Sequence, residues 1–549
     1  MNHCWIKYFL TLSLLILSSI GSNAQAVYEP VDNNPIYELL DELASLKVIT
    51  INSAVKPYSR IFIANKLEQA IQNAEKLNSR QLAEVKFYLK DYFFELRIKN
   101  EKLKINEKEK TTVLYDPPCF RYSDKVFKVS ITPWLGGRFM INENENFREF
   151  SGGGEVSGYL GKHIGYYANV KYIWESEPLV NPVIFSLEEG KSWNYLRNGS
   201  VDNTELRGGI SVGWNWGEFG IFKDRPVWGN AIHGTNIMSG HPPSFPYIQL
   251  HLKPAKWIEF YSITGALKSD VIDSSRSSFG PGPEHIVYHR KYMSANFFTI
   301  TPWKRTDISF GNSIFWSDVF KVGYLMPFNL YKSVDESLKG SFAFAGENVK
   351  VNDDGHLFFD ISSRNIKHLQ LYLSLWIDEW KSARIIEKNQ HNILSWKVGV
   401  SLYDLPVKNL SLTIEGLSTR PGTYEEYIPA NLYANEDYSF GNYLRDDAWE
   451  LYVCMNYKPI RGLQISASYD IAQRGGYVYM KDDEITYPLS KNLTYNQTTF
   501  EINASYRLLT NVEALIGYKY TQNTGDLQYI PQIFQGKTST ILCGINVGF

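Results

Sequence analysis

Cysteine is scarce: the 549-residue chain has four, and Cys4 stands ahead of the first apolar run, the wrong place for a lipid-modified N-terminal residue. The other three, Cys119, Cys454 and Cys543, are odd in number and far apart, so neither a disulfide framework nor a cysteine metal site follows from them. Charge of one sign is missing too. A net charge of −2 gives no reason to expect nucleic acid as a partner. Beyond residue 24 there is no run of 18 apolar residues, which excludes a membrane-spanning helix there.

Catalytic signatures are equally thin. Gly209 to Gly213 matches G-x-S-x-G, but it lies in "LRGGISVGWNWGEFGIF", a strand running into a hairpin, whereas a hydrolase needs its serine on a strand-to-helix turn. "GKS" at 190–192 and "GKT" at 536–538 lack the earlier glycine of a phosphate loop. His285 and His289, with only Glu284 beside them, read as loop histidines. "NDDG" at 352–355 is too short for a twelve-residue calcium loop and reads as a turn. No metal, cofactor or enzymatic activity is expected.

What is present begins with a leader. Lys7, an apolar run from Tyr8 to Ile20, and small residues Ser22 and Ala24 at −3 and −1 predict a secretory signal over 1–24. Residues 25–100 then carry helical spacing: Ile36, Leu39, Leu40, Leu43 and Leu46 recur after Pro35, which a first helical turn tolerates. "ANKLEQAIQNAEKL" and "SRQLAEVKFYLKDYFFEL" predict two more helices, the latter capped at Ser79. A Lys/Glu-rich linker follows over 101–125.

From 126 to 549 the period changes to two. "LQISASYDI" sets Leu463, Ile465, Ala467, Tyr469 and Ile471 against Gln464, Ser466, Ser468 and Asp470, and "FEINASYRL" repeats the scheme with Phe500 and Ile502 on the apolar side. Large aromatics mix with Ala and Gly on that side, which a lipid-facing wall allows and a close-packed core does not. Aromatics at 15% of the chain supply two interfacial girdles. The fold class is therefore an all-β transmembrane barrel of about 16–18 antiparallel strands with a small N-terminal α-helical bundle. "TSTILCGINVGF", ending on Phe549, looks like a terminal barrel strand, which makes outer-membrane lipids and the barrel assembly machinery expected partners. By parity Asp378, Glu415, Asp470, Glu501 and Glu513 face inward with Lys397, Arg507 and Lys519. Two of these acids could be chosen as acid and base of a glycosidase, but the mixed signs read as a neutralised lumen network.

The least regular stretch is the most specific. "FKDRPVWGNAIHGTNIMSGHPPSFPYIQL" resembles a hallmark of the Wzi-like capsule assembly proteins, carried by Asp224, Arg225, Trp228, Gly229, Pro242, Pro243 and Pro246. "HLFFDISSRNIKHLQLYLSLWIDEW", with Asp360 and Asp378, is similar to a second family segment. "STRPGTYEEYIPANLYANEDYSFGNYLRDDAWELY" resembles the version found in Bacteroidetes, with Thr423, Tyr424, Gly441 and the Glu450-Leu451-Tyr452 strand start. "NPIYELLDELASLKVI" and "KPYSRIFIANKLEQA" resemble the family's helical opening.

The resemblance implies an outer-membrane barrel, its helical bundle in the periplasm, that binds or organises capsular or other surface polysaccharide without being an enzyme. A porin or transporter is the alternative, and an outer-membrane glycan- or lipid-modifying enzyme the third reading. Sugar binding favours aromatic faces with polar neighbours, so Trp228, His233, Asn236, His241, Tyr427, Asn431 and Tyr433 are the candidate contacts. Residues 223–248 are thus either a polysaccharide-binding loop at the barrel mouth or a plug with Arg225 buried against lumen acids.

Overall fold

The computed structural model describes residues 26–32, 34–99, 109–112, 120–278, 285–338, 353–380, 392–476 and 493–548. The expected leader, Cys119, Phe549 and most of the linker lie outside the described residues. Among those described, eighteen antiparallel strands close into one barrel. They are β1 Phe127–Ile141, β2 Asn146–Leu160, β3 Ile164–Glu175, β4 Val201–Trp214, β5 Gly217–Asp224, β6 Phe245–Ala255, β7 Ile258–Ile272, β8 Tyr288–Trp303 and β9 Thr306–Ser317. The second half is β10 Asp354–Ser363, β11 Leu369–Glu379, β12 Ile393–Tyr403, β13 Leu410–Thr419, β14 Ala448–Tyr457, β15 Leu463–Gly475, β16 Leu493–Leu509, β17 Val512–Gly525 and β18 Lys537–Gly548. Pairing of Cys543 with Phe139 and Val547 with Leu135 shuts the seam between β18 and β1.

Period-two alternation becomes two surfaces. On β4, Leu206, Ile210 and Val212 are exposed on the outside while Glu205, Arg207 and Ser211 are buried within. Ile465, Tyr469, Phe500 and Ile502 are likewise exposed outward. Successive Cβ atoms point to opposite faces of a strand, so one residue type per parity suffices to sort lipid side from lumen. Ser211 of the G-x-S-x-G match lies inside β4, its Oγ donating to the Ala26 carbonyl at 2.6 Å. "NDDG" is not only a turn: Asp354 and Gly355 open β10.

The two ends differ. The termini of the barrel and the short turns, such as Trp214 to Gly217 and Leu509 to Val512, occupy one end, and the long connections 176–200, 225–244 and 420–447, with residues 318–338, leave from the other. A helical head covers the short-turn end: α1 Ile36–Ser45, α2 Arg60–Gln72, α3 Ser79–Leu89 and α4 Phe93–Lys99. Leu39, Leu40, Leu43, Ile63, Leu67 and Val85 form its core. Ser59 caps α2 by accepting from the Phe62 amide, and α3 is capped by Asn78 in a reciprocal box with Gln81, one residue before the expected Ser79. The head is tied to the turns by Arg364 to Asp41 at 2.6 Å, Lys458 to Glu38 at 3.0 Å, and Asn78 and Arg80 to the Asn409 side chain.

One connection leaves the wall on the outside. On the outer face Ser262, Asn296 and Asn312 stand opposite one another in register, and the same row continues with Leu250 and Phe219 on one side and Leu357 and Ile377 on the other. A polar patch thus interrupts the apolar belt. Residues 318–338, which include α5 Tyr331–Leu338, fold back over it. Asn296 donates to the carbonyls of Pro327 and Asn329 at 3.1 and 2.9 Å, and Asn312 accepts from the Tyr331 amide at 3.0 Å. Phe328 stacks on Phe260 at 4.6 Å. The strap turns Val319, Phe320, Val322, Met326, Phe328 and Leu330 outward. Irregular backbone is tolerated beside lipid only when its polar groups are satisfied in this way.

Candidate functional site

The inward counterpart is the connection between β5 and β6. Asp224 faces Phe245 across the pair, and the twenty residues between them turn into the lumen. Val227–Trp228 pairs with Met238–Ser239 and, on its other edge, with Val55–Lys56 of the head, so a three-stranded sheet hangs inside the barrel. Gly229 follows with φ 112° and donates to the Ala54 carbonyl at 2.8 Å, a backbone conformation that a side chain would strain.

Arg225 anchors the turn inward. Its guanidinium donates to Glu205 at 2.9 Å and to the Gly190 carbonyl at 2.9 Å, and Glu205 also holds Arg207 at 3.0 Å. Trp228, 1% exposed, stacks on Phe297 at 5.3 Å with its edge neighbour Phe358 beyond. Asn236 is fully enclosed, donating to the Ser395 carbonyl and accepting from Ser374 at 2.5 Å. The connection 420–447 locks over it: Tyr424 and Tyr433 donate to the carbonyls of Asn236 and Ile237, each at 2.7 Å, and the Ser239 amide donates to the Phe440 carbonyl. Asn431 is buried beside them. Of the seven expected sugar contacts, then, Trp228, Asn236, Asn431 and Tyr433 have no face turned to solvent. His233 and His241 are partly buried, and Tyr427 is 93% exposed at the long-loop end.

The residues expected to form a lumen network fall into separate groups. Lys397 lies 3.1 Å from Glu415 and 3.3 Å from Glu450, and it donates to the His233 carbonyl. Glu415 accepts from the backbone amides of Ile232 and His233 at 2.6 and 3.0 Å and from Tyr372 at 2.5 Å. Arg507 pairs with Glu513, and Lys519 stands 3.8 Å from Glu501. Asp378 belongs to a different group with Asp354 and His356. Glu205, Arg207 and Glu450 were missing from the sequence-derived set. Their parity was the signal: Glu205 and Arg207 share the face of Ser211, and Glu450 that of Tyr452.

Electrostatics hold the loop histidines neutral. Burial, reinforced by Lys397, pushes the His233 ring down to about 3, and burial with Arg225 pushes His241 down to about 4. His233 lies flat on Tyr452 at 3.6 Å.

The plug fills one side of the lumen, against β6 to β11, through Phe245, Ile263, Met293, Phe297, Phe315 and Trp376. On the other side a cavity of about 1270 Å³ remains, lined by Glu29 and Arg60 of the head, Ile232 and His233 of the plug, and wall residues including Asp470 and Lys519. Ser313, His356 and Asp354 also form a row, Oγ to Nδ1 at 3.0 Å and Nε2 to carboxylate at 2.7 Å. It has the residue types of a hydrolase triad. Ser313 is buried, however, and the imidazole is covered by Trp376 and Tyr433, so no substrate reaches the hydroxyl.

No family model matches the chain, and no curated protein matches it. Among solved structures it is similar to Wzi of Escherichia coli, an outer-membrane protein involved in group 1 capsule assembly and a carbohydrate-binding β-barrel, with a TM-score of 0.57 over 96% of this chain and 100% of that one. The fold is Wzi-like. Identity to Wzi is 11%, so the likeness is one of fold. OccD3 of Pseudomonas aeruginosa aligns at a TM-score of 0.42 with 9% identity, over 77% of this chain and 91% of its own. The barrel fold matches that of an outer-membrane protein, Wzi, and no helix among the described residues is long and apolar enough to cross a membrane.

Proposed function

We propose that this barrel holds a capsular or other surface polysaccharide at the cell surface, with the long-connection end outside and the helical head in the periplasm. The carrying observation is how the lumen is occupied. Plug, head and connection 420–447 interlock through buried charge pairs and tyrosine-to-carbonyl bonds, an arrangement suited to a rigid attachment surface more than to passage. The Wzi-like fold supports the carbohydrate, and aromatic groups at the long-connection end supply its chemistry: Tyr427, Tyr195, Tyr288 and Trp380 are all exposed there. Exposed rings stack on the CH faces of sugars while His241 and the loop acids and arginines hydrogen-bond hydroxyls and carboxylates.

A porin is the rival reading, favoured by the cavity of about 1270 Å³. The test uses detergent-purified protein in two assays. Polysaccharide binding on a glycan array is expected to fall several-fold in a Tyr195→Ala, Tyr427→Ala double variant, since each stacking contact contributes about 1 kcal/mol. In planar bilayers the parent protein is expected to show no large stable conductance. Absence of polysaccharide binding by the parent together with large conductance overturns attachment in favour of transport.

A further inference from the structure

Where the plug comes nearest to β14 and β15, three side chains converge without bonding. His233 Nε2 lies 3.6 Å from Glu450 Oε1 and 4.0 Å from Asp470 Oδ1, and the three ligand atoms all fall within 4.8 Å of one another. These separations are too long for hydrogen bonds. They approach the roughly 3.3 Å edge of a tetrahedron drawn at zinc–nitrogen and zinc–oxygen distances of about 2.0–2.2 Å. Both His233 Nε2 and Asp470 Oδ1 are buried polar atoms with no hydrogen-bond partner, and Asp470 is only 6% exposed. Leaving such atoms unmatched costs about 1–3 kcal/mol each, more for a charged group, so the geometry asks for something between them.

The surrounding side chains hold these three groups in place. Tyr452 fixes the imidazole by stacking, Tyr443 donates to Glu450 Oε1 at 2.6 Å, and Glu415 grips the amides of residues 232 and 233. Glu415 and Glu450 share Lys397, at 3.1 and 3.3 Å, while the carboxylate of Asp470 faces the imidazole of His233. His233 and Asp470 both line the large cavity, which gives an ion a route in and leaves a coordination position facing open space. The contrast with Asp354, His356 and Asp378 is instructive. There the imidazole already bonds Asp354 and Ser313, and nothing is missing.

We propose that His233, Glu450 and Asp470 bind one divalent ion of the zinc class, which clamps the plug to β14 and β15. One imidazole and two carboxylates suit zinc better than calcium, which takes six or more oxygens. The test is a titration of the full-length, chelator-stripped protein in detergent with zinc chloride, read by elemental analysis after dialysis, and with cobalt(II), read by its visible absorption. One equivalent of zinc is expected at micromolar concentration, with a cobalt spectrum of four-coordinate type. Asp470→Asn, nearly the same in shape, and His233→Ala should each weaken binding at least about tenfold, while Asp354→Asn leaves it unchanged. Each variant is scored only on protein that still shows the heat-modifiable band of a folded barrel. If Asp470→Asn proves unable to fold, Glu450→Gln replaces it under the same expectation. Absence of stoichiometric zinc in the parent, or binding that Asp470→Asn, its replacement and His233→Ala all leave intact, overturns the site.

Discussion

Two connections leave the same end of the barrel and fold in opposite directions. Residues 225–244 turn into the lumen, and residues 318–338 lie against the outer wall. The inward one carries Arg225, Asn230 and Asn236, each buried and each bonded to wall or neighbouring loop. The outward one carries few such groups and shows Val319, Phe320, Val322, Met326, Phe328 and Leu330 to the surroundings. What they share is the rule that a chain segment is drawn to polar groups that the wall leaves incompletely satisfied. In the lumen these include Glu205, Glu415 and Asp360; on the outside they are Asn296 and Asn312, which bond each other but have further polar atoms that the strap satisfies. Composition then decides what the segment's far side meets, protein in one case and lipid in the other.

The contrast can be broken most severely at Arg225. Arg225→Ala leaves Glu205 sharing only Arg207, and removal of one partner from a buried pair costs about 3–5 kcal/mol. Proteases added at the long-connection end should then cut within 225–244, which the parent resists; a variant as resistant as the parent would show that aromatic packing alone holds the plug. On the outside, Phe328→Arg places a charge on the lipid side of the strap, at a cost of about 2–4 kcal/mol near the midplane and less at the interface. Reduced yield of heat-modifiable barrel is expected, and full tolerance would place the strap in water. Asn312→Ala is milder. It strands the Tyr331 amide and frees the strap with a loss of about 1–3 kcal/mol, measured as faster hydrogen exchange confined to 318–338.

Acid supplies the smallest and most selective effect. His241 is held neutral by burial, with Arg225 and Arg445 adding to the effect and Glu188 and Glu189 opposing it, and its ring is depressed from 6.5 to about 4. A histidine whose docked pKa lies below its free value binds more protons when released. Docking is therefore at full strength above about pH 6.5 and weakens as pH falls from there toward 4. Cleavage within 225–244 should rise between pH 7 and pH 5 in the parent and change less in His241→Phe. An identical pH profile in the two proteins would assign the response to another group.

Much of the architecture could be read directly from the chain. Parity alone sorted Ile465 from Ser466 and Ile502 from Asn503, because a strand's two faces are a local property, and the structure's eighteen strands fall within the expected range. Parity also placed Lys397 and Glu415 on the lumen side, though not opposite each other. The loop residues were a different matter. Trp228 has the aromatic, polar-flanked setting of a sugar platform and also that of a plug, and nothing adjacent in sequence separates an exposed ring from a buried one. Asp470 was visible as an inward acid and Glu450 was not singled out as one; their convergence on His233 could not be read from the chain.

By itself the sequence determined the wall: which face of a strand meets lipid, and that the lumen carries charges of both signs. These follow from spacing over a few residues. Only the tertiary structure decided which connection fills the lumen and which straps the outside, since that depends on partners remote in the chain. Ile232 meets Glu415 across 183 residues, Asn236 meets Ser395 across 159, and the cluster of His233, Glu450 and Asp470 exists only once β14 and β15 have closed round the plug.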